Sequence, residues 1–184
     1  MKIFYKNTYK YVEFLGDFSL HGIATINKFT KKKLTYRIVN FETFFNKIDK
    51  KNIFLVNSDV DKVIKNLVKL KINCIAVSNN HILDGSNKLL FNFLLKLRKK
   101  YKIDILGLKN NLNFPNQIKF LYNNNKLLVK SLIDPKSFRG KLDLNYKKKF
   151  SIDVLKEDEI YKKFENCTQI LFLHGGQMFK QTQV

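Results

Sequence analysis

The sequence has no tryptophan and only two cysteines, two prolines and seven glycines among its 184 residues. Cys74 and Cys167 are far apart beside apolar runs, so they fit no metal-binding or redox spacing and are predicted to be buried thiols. No apolar run approaches the roughly 20 residues that cross a bilayer. Charged residues near the amino terminus interrupt any signal-peptide core. These absences favour a soluble protein in a reducing compartment, which we expect to be the cytoplasm.

Acidic residues are also scarce, and the chain carries a formal net charge of +20. Its cations are nearly all lysine, since the only arginines are Arg37, Arg98 and Arg139. Such a charge permits an anionic partner, either an acidic polymer or a nucleic acid. Proteins that read nucleic acids favour arginine, and lysine with abundant asparagine is also what a general compositional bias gives. We therefore expect no specific nucleic-acid partner and no membrane span.

A hydrophobic content of 45% is enough for a folded core, and no repeat or linker divides residues 1–184, so we predict a single domain. Apolar runs and helical periodicity alternate through the first half of the chain, which is typical of a parallel sheet with helical crossovers. The predicted strands cover 11–15, 34–39, 53–56, 72–77 and 103–106, and the predicted helices cover 41–48, 60–71 and 86–101.

The second half has a different pattern. Two apolar runs, 117–122 and 126–132, flank three asparagines and predict a β-hairpin. A basic surface loop over 138–149 and a helix over 156–164 come next, and residues 170–173 form the last predicted strand. The predicted fold class is therefore α/β, a layered sandwich with a mostly parallel sheet in the first half and a β-hairpin extending the second.

Polar residues follow several predicted strands at the point where each strand ends. Gly16-Asp17 follows the strand over 11–15, and Asn79-Asn80-His81 follows the strand over 72–77. Because the carboxyl ends of parallel strands meet at one edge of a sheet, we expect these side chains to lie together. The candidate residues are Asp17, Asn57, Asp59, Asn79, Asn80, His81, Asp84 and His174.

This set offers carboxylate and amide oxygens together with imidazole nitrogens. Such a mixture suits Mn, Zn or Fe better than Ca or Mg. Two ions about 3.5–4 Å apart, bridged by a carboxylate, would activate water for attack on a phosphate ester. Each residue alone also has an ordinary structural explanation as a turn or a cap. In combination they predict a hydrolytic site that holds one or two divalent transition-metal ions.

These strand-end motifs, in their order along the chain, resemble those of the bacterial capsule synthesis protein A (CapA) family. That family includes poly-γ-glutamate synthesis accessory proteins and is related to the calcineurin-like metallophosphoesterases. The resemblance runs from about residue 11 to residue 179, and its most specific part is the stretch 76–85. It implies a metallophosphoesterase-like fold and a role in capsule or poly-γ-glutamate biosynthesis.

The resemblance also implies a role for each candidate residue. Asp17, Asn80 and His174 would be metal ligands. Asp59 would be the bridging carboxylate, in place of the glutamate of the family's Asn-Leu-Glu motif. His81 would be the catalytic general acid, and the residues that support the site would be Asn57, Asn79 and Asp84.

The chain departs from the family pattern at several points. Gly175 replaces the usual tryptophan, and Ser19 stands where the wider superfamily has a histidine. The family's last motif, a Gly-His-His-Pro-His type loop, is not found before Val184, so the chain is expected to be a truncated or degenerate member or a fragment. Three functions therefore stay open: a metal-dependent phosphoesterase-like hydrolase, an inactive relative that binds an acidic capsular polymer, and a lysine-rich nucleic-acid-binding protein.

Overall fold

The computed structural model describes residues 3–18, 34–45, 56–57, 59–110, 117–122, 125–135, 150–154, 156 and 167–174. The strands in chain order are β1 Ile3–Tyr9, β2 Tyr11–Asp17, β3 Thr35–Asn40, β4 Phe44–Phe45, β5 Val56–Asn57, β6 Cys74–Ala76, β7 Asp104–Leu106, β8 Leu108–Asn110, β9 Ile118–Tyr122, β10 Asn125–Ile133, β11 Phe150–Ile152 and β12 Cys167–His174. The helices are α1 Val60–Lys69 and α2 Asn87–Lys96, and α2 continues into a π-helical turn at Leu97–Tyr101.

Four strands from the first half form a parallel sheet in the order β2-β3-β6-β7. Helix α1 precedes β6, and α2 with its π-helical turn connects β6 to β7. Strands that lie parallel need such long connections, whereas antiparallel strands can be joined by a short turn. The predicted parallel sheet of the first half is confirmed.

Four other strands form a mixed sheet in the order β1-β9-β10-β12. Strands β9 and β10 are antiparallel neighbours, as the predicted hairpin requires, and β10 then pairs with β12 in parallel. Two short sheets, β4 with β5 and β8 with β11, complete the pairing of the described strands. The hairpin therefore builds a second sheet instead of lengthening the first.

The alternation of side chains along β3 produces a layered core. Tyr36 and Ile38 are buried between the two sheets, where they pack in one cluster with Phe120 and Val129. Val39 points the other way, into a second cluster beneath the helices. Since successive strand residues face opposite sides, a single buried strand serves both clusters.

Both helices bury one apolar stripe against the same face of the parallel sheet. The stripe residues are Val63, Ile64 and Leu67 of α1 and Leu90, Phe93 and Leu94 of α2. Each helix begins at a side-chain cap, Asp59 for α1 and Ser86 for α2. The capping oxygens accept hydrogen bonds from backbone N–H groups that have no partner within the helix. The order of layers is thus helices, parallel sheet and mixed sheet, which confirms the predicted layered α/β fold.

The helix predicted over 41–48 is wrong across its described part. Phe41 is outside any helix, and its N–H donates to the carbonyl of Ala76, so the backbone carries on the sheet pairing beyond β3, and Phe44–Phe45 form β4. The Phe41 and Phe45 rings lie 5.0 and 4.7 Å from the Phe93 ring of α2. The phenylalanines whose spacing suggested a helix are buried against α2 instead. Their burial in the tertiary structure outweighs the local preference for a helix. The surface loop predicted over 138–149 and all but the first residue of the helix predicted over 156–164 lie outside the described residues.

Gly107 joins β7 to β8 and has a φ of +94°, a conformation that L side chains rarely adopt. A Cβ atom here would lie 2.2 Å from Ser78 Oγ, whose hydroxyl donates to the carbonyls of Gly107 and Ser131. We expect Gly107→Ala to lower the free energy of unfolding by about 2–4 kcal/mol, because it adds both strain and a clash. Urea denaturation measures the loss.

Gly16→Ala is the matched control, since nothing lies within 4 Å of a Cβ atom at Gly16. We expect this control to change the free energy of unfolding by less than about 1 kcal/mol. Equal losses in the two variants would contradict the close approach of Gly107 to Ser78.

Candidate functional site

The register of the strands brings polar residues to one edge of the two sheets. Asp17 at the end of β2 is level with Asn40 at the end of β3, and Asn40 is level with Ala76 at the end of β6. In the mixed sheet, β12 ends at His174, which is level with Ile133. Asp17, Asn40 and His174 line one cavity of about 320 Å³. Residues that are distant in sequence therefore meet where the carboxyl ends of parallel strands converge.

The loop after β6 is held in place by Asn79, which is fully buried. Its side-chain oxygen accepts hydrogen bonds from the backbone N–H groups of His81, at 3.1 Å, and Ile82, at 3.0 Å. Its amide nitrogen donates to the carbonyl of Phe41 at 2.8 Å. Asn79 thus fixes the shape of the loop and ties it to the chain after β3, and the side chains of Asn80 and His81 are half-buried.

Asn80 links two histidines from opposite sheets. Its Oδ1 lies 2.7 Å from His174 Nε2, and its Nδ2 lies 3.2 Å from His81 Nε2. An amide oxygen accepts and an amide nitrogen donates, so this arrangement puts a proton on His174 Nε2 and a lone pair on His81 Nε2. One amide therefore sets the tautomers of both imidazoles.

Asp84 determines the orientation of the His81 ring. Its Oδ2 lies 2.7 Å from His81 Nδ1, so the carboxylate accepts the proton of that nitrogen. His81 Nε2 then faces Glu42, whose Oε1 is 3.9 Å away. The His81 side chain is about one quarter exposed.

Glu42 belongs to the cluster although it is absent from the sequence-based candidates. Asn40 Nδ2 donates to Asp17 Oδ1 at 2.7 Å and lies 3.4 Å from Glu42 Oε2. Burial, followed by a hydrogen bond to Asp17 and the negative charge of that residue, raises the pKa of Glu42 to about 7, and only the nearby His81 opposes the rise. Two carboxyl groups that share a confined space cannot both ionise freely, so the pair favours a proton or a cation between them.

Asp59 is the N-cap of α1, where its exposed carboxylate accepts a hydrogen bond from the Lys62 N–H at 2.9 Å. The carboxyl group found beside Asp17 is that of Glu42, and the bridging role of Asp59 stays a prediction. Asn57 lies in the backbone of β5, and its side chain is outside the described part of the structure.

The sequence did contain a signal for Glu42. Asn40-Phe41-Glu42 follows a strand and has the Asn-x-Glu form of the motif that was matched to Asn57-Ser58-Asp59. The mistaken helix over 41–48 hid it, since a helix starting at Phe41 would have removed Glu42 from the strand end.

His174 is the imidazole nearest to the two carboxyl groups. Burial lowers its pKa below the ordinary value, His81 lowers it further, and the charge of Asp17 partly offsets both. His174 is therefore neutral near pH 7, and because its Nε2 donates a proton to Asn80, the lone pair that can bind a metal ion is on Nδ1.

The donor atoms suit a divalent transition metal, but they are not yet gathered around one point. Asp17 and Glu42 supply oxygens, and Asn80, His81 and His174 supply an amide oxygen and two ring nitrogens. Within the described ranges, no three histidine, cysteine, aspartate or glutamate side chains already converge as a metal-binding group. The residues thus fit such an ion in chemistry, and an ion would have to draw at least one of these side chains inward.

The sequence matches the bacterial capsule synthesis protein family, PGA_cap, over residues 18–174. The chain belongs to this family. The matched stretch contains Asn40, Glu42, the loop after β6 and His174, and Asp17 lies one residue before it. The observed fold and the family assignment therefore agree with the resemblance first seen in the strand-end motifs.

The chain is also similar to the probable intron-encoded endonuclease aI3 of Kluyveromyces lactis, with 29% identity over 160 residues. The aligned region covers 82% of this chain and 37% of that protein, so the chain spans less than two-fifths of the relative's length.

Among the described helices, none is both long enough and apolar enough to cross a bilayer.

Asn79→Ala should destabilise the protein by about 2–4 kcal/mol, because it leaves two buried N–H groups and one carbonyl without their partner. Chemical denaturation measures the change in free energy of unfolding. Asn92→Ala, at an exposed position of α2, is the matched control and should change it by less than about 0.5 kcal/mol. A loss below about 1 kcal/mol for Asn79→Ala would contradict the role given to this side chain.

The raised pKa of Glu42 predicts a pH-dependent stability. The folded protein holds the Glu42 proton up to about pH 7, whereas the unfolded chain releases it near the ordinary value of 4.5. The contribution of Glu42 to the free energy of unfolding is therefore fully present below about pH 4.5 and is lost as the pH rises to about 7. His174, with its lowered pKa, acts in the opposite direction over part of this range.

Comparison with Glu42→Gln isolates the contribution of Glu42, since glutamine keeps the shape and does not titrate. With a metal chelator present, wild-type protein should lose stability relative to Glu42→Gln between pH 5 and pH 8 in denaturation curves. A difference in stability that does not change with pH would contradict the proximity of Glu42 to Asp17.

Proposed function

We propose that the protein is a metal-dependent hydrolase of the phosphoesterase type that acts in capsule synthesis. The observation that carries this proposal is the meeting of Asp17, Glu42, Asn80 and His174 at one cavity edge, with His81 beside them. These four residues would hold one or two ions of Mn, Zn or Fe. The ion, when bound, would supply an activated water for attack on a phosphate ester.

The residues of the chain would prepare the site in two ways. Glu42 must give up its proton before its oxygens can bind a cation, so metal binding should release a proton and become stronger as the pH rises through about 7. The Asp17 side chain accepts a hydrogen bond from Asn40. Asn40 thus orients Asp17, the proposed metal ligand that is exposed to solvent.

His81 would serve as the proton donor to the leaving group. Asp84 holds Nδ1 of its ring and so fixes the orientation of Nε2, which faces Glu42. Because Nε2 carries a lone pair in this tautomer, it would first have to take up a proton, which could then pass to the oxygen of the departing alcohol. Asp84 is in this scheme a positioning residue, because it acts through His81 and does not touch the substrate.

Metal analysis of the purified protein, reconstituted with Mn, Zn or Fe, tests the proposal. We expect at least one ion per chain in the wild type and loss of that ion in Asp17→Asn and Glu42→Gln, because each variant removes a ligand charge. His81→Ala should keep the ion and lose most of the hydrolysis of a bis-nitrophenyl phosphate substrate, by about 10²–10⁴-fold.

Asp59→Asn is the matched control for these variants, since it removes a carboxylate that is engaged as the cap of α1. It should retain both the ion and the activity. If folded, reconstituted wild-type protein holds no stoichiometric ion, the hydrolase proposal fails and a non-catalytic role in capsule synthesis is favoured.

A second candidate function is binding or cleavage of nucleic acid, which the similarity to the yeast endonuclease supports. This similarity is 29% identity and covers 37% of that protein. Nicking of a supercoiled plasmid by the wild type, abolished in Asp17→Asn, would make a nucleic-acid phosphodiester the substrate.

A further inference from the structure

The cavity that holds the candidate metal ligands also has an apolar wall. We call it the phenylalanine wall, and it consists of Phe14 and Leu15 of β2 with Phe172 and Leu173 of β12. Among the described strands, β2 is the outer strand of the parallel sheet and β12 is an outer strand of the mixed sheet. The centres of the Phe14 and Phe172 rings lie 5.4 Å apart, and the ring planes are inclined by 32°. The wall therefore spans the two sheets at their edges.

Two members of the wall are exposed although they are apolar. Phe14 is 40% exposed and Leu173 is 53% exposed. Among the phenylalanines whose side chains the structure describes, Phe14 is the only exposed one. An apolar surface bordered by polar residues is typical of a ligand-binding site, because a ligand that covers it removes the surface from water. The wall is therefore a candidate for contact with the part of a substrate that does not react.

An irregularity in β2 places the wall and a proposed metal ligand on the same cavity. Leu15 is level with Val39 and Asp17 is level with Asn40, so Gly16 is an extra residue, as in a β-bulge. Such bulges redirect side chains and are frequent next to active sites. Successive residues of a regular strand face opposite sides, whereas the four consecutive residues 14–17 all line this cavity. A substrate held by Asp17 would therefore lie next to the wall.

The charge of the cavity differs from that of the chain. None of the described residues that line it is a lysine or an arginine, although these account for 35 of the 184 residues. The titratable groups among the described lining residues are those of Asp17 and His174. A leaving group with a carboxylate or a second phosphate would be repelled by Asp17 and would lose water without gaining a cation. The lining therefore favours a leaving group without charge.

The size of the cavity limits the substrate as well. Its volume is about 320 Å³. Pockets for small molecules have volumes of about 300–1,000 Å³, so this cavity is near the lower end of the range. Such a volume suits a phosphoryl group with one ring system better than an enclosed segment of a polymer.

We propose that the phenylalanine wall binds the leaving group, and that the substrate is a small phosphate ester whose leaving group carries an uncharged, flat ring. The ring would pack against Phe14 and Phe172 in an offset or edge-to-face arrangement, as aromatic rings prefer. The inference rests on the proposed hydrolase function, since it names the class of substrate for that site. An aryl alcohol and a nucleoside both supply a ring of this kind.

The first test compares two phosphonates that the protein cannot hydrolyse, benzylphosphonate and ethylphosphonate. They share the phosphonate group and differ in the ring. Calorimetric titration of the full, metal-reconstituted chain should show about tenfold tighter binding of benzylphosphonate. Equal affinities for the two compounds would overturn the proposal.

The variant Phe14→Leu removes the exposed ring and keeps an apolar side chain. We expect the preference for benzylphosphonate to fall to about threefold or less. Tyr11→Leu is the matched control, because Tyr11 is 42% exposed on the same strand and is not among the described residues that line the cavity. It should keep the full preference, and equal losses in the two variants would contradict the role of the wall.

A third compound, 4-carboxybenzylphosphonate, tests the preference for an uncharged ring. The wild type should bind it about tenfold more weakly than benzylphosphonate, because the wall offers no cation. Leu173→Lys adds a cation at an exposed position of the wall and should bring the two affinities to within about threefold. Equal binding of the two compounds by the wild type would show that charge is not selected and would overturn this part of the proposal.

A measurement without metal separates this inference from the hydrolase proposal. With a chelator present, benzyl alcohol should cause saturable shifts in the NMR signals of the backbone amides of residues 14–17, and Phe14→Leu should reduce them. Absence of these shifts in the wild type would overturn the ring subsite whether or not the protein binds a metal ion. Shifts in a protein that holds no ion after reconstitution would support the subsite and reject the hydrolase.

Thymidine 5′-phosphate distinguishes the two sources of the ring. If it displaces benzylphosphonate and binds more tightly, and if Phe14→Leu weakens its binding, the ring is that of a nucleoside. Weaker binding than that of benzylphosphonate assigns the ring to an aryl alcohol. Tighter binding that does not depend on Phe14 would contradict the proposal, because the nucleotide would then be held away from the wall.

Discussion

The parallel register of β2, β3 and β6 is the constraint on which the rest of the structure depends. It sets Asp17, Asn40 and Ala76 at one level, and the chain then turns away from the sheet after each of them. Asn79 fastens the turn after β6 to the segment after β3, so Glu42 and His81 face each other across the edge. A shift of one residue in any of these strands would point the polar side chains to opposite sides of the sheet.

Much of this arrangement could be predicted from local sequence. The stretch from Asn79 to Ser86 was recognisable as a loop between a strand and a capped helix, because buried strands and N-caps have local signatures. The position of Glu42 could not be predicted in the same way. It depends on Phe41 and Phe45 packing against Phe93, a contact between residues about 50 positions apart, and the same phenylalanines have helical spacing in the sequence. Asp59 was an attractive alternative because a carboxylate after a strand also serves as a helix cap.

The charged groups at the sheet edge and those on the helices are in different environments. At the sheet edge, partial burial raises the pKa of Glu42 to about 7 and lowers the pKa of His174 below its ordinary value. On the helices, the lysines are exposed, and their effect depends on number and spacing.

The most direct test of the shared site is to locate a bound ion. Crystals of the protein grown with Mn²⁺ and measured for anomalous scattering should show a peak between Asp17 and Glu42, close to Asn80 and His174. A peak at Asp59, or well-ordered crystals with no peak at this edge of the sheets, would contradict the account.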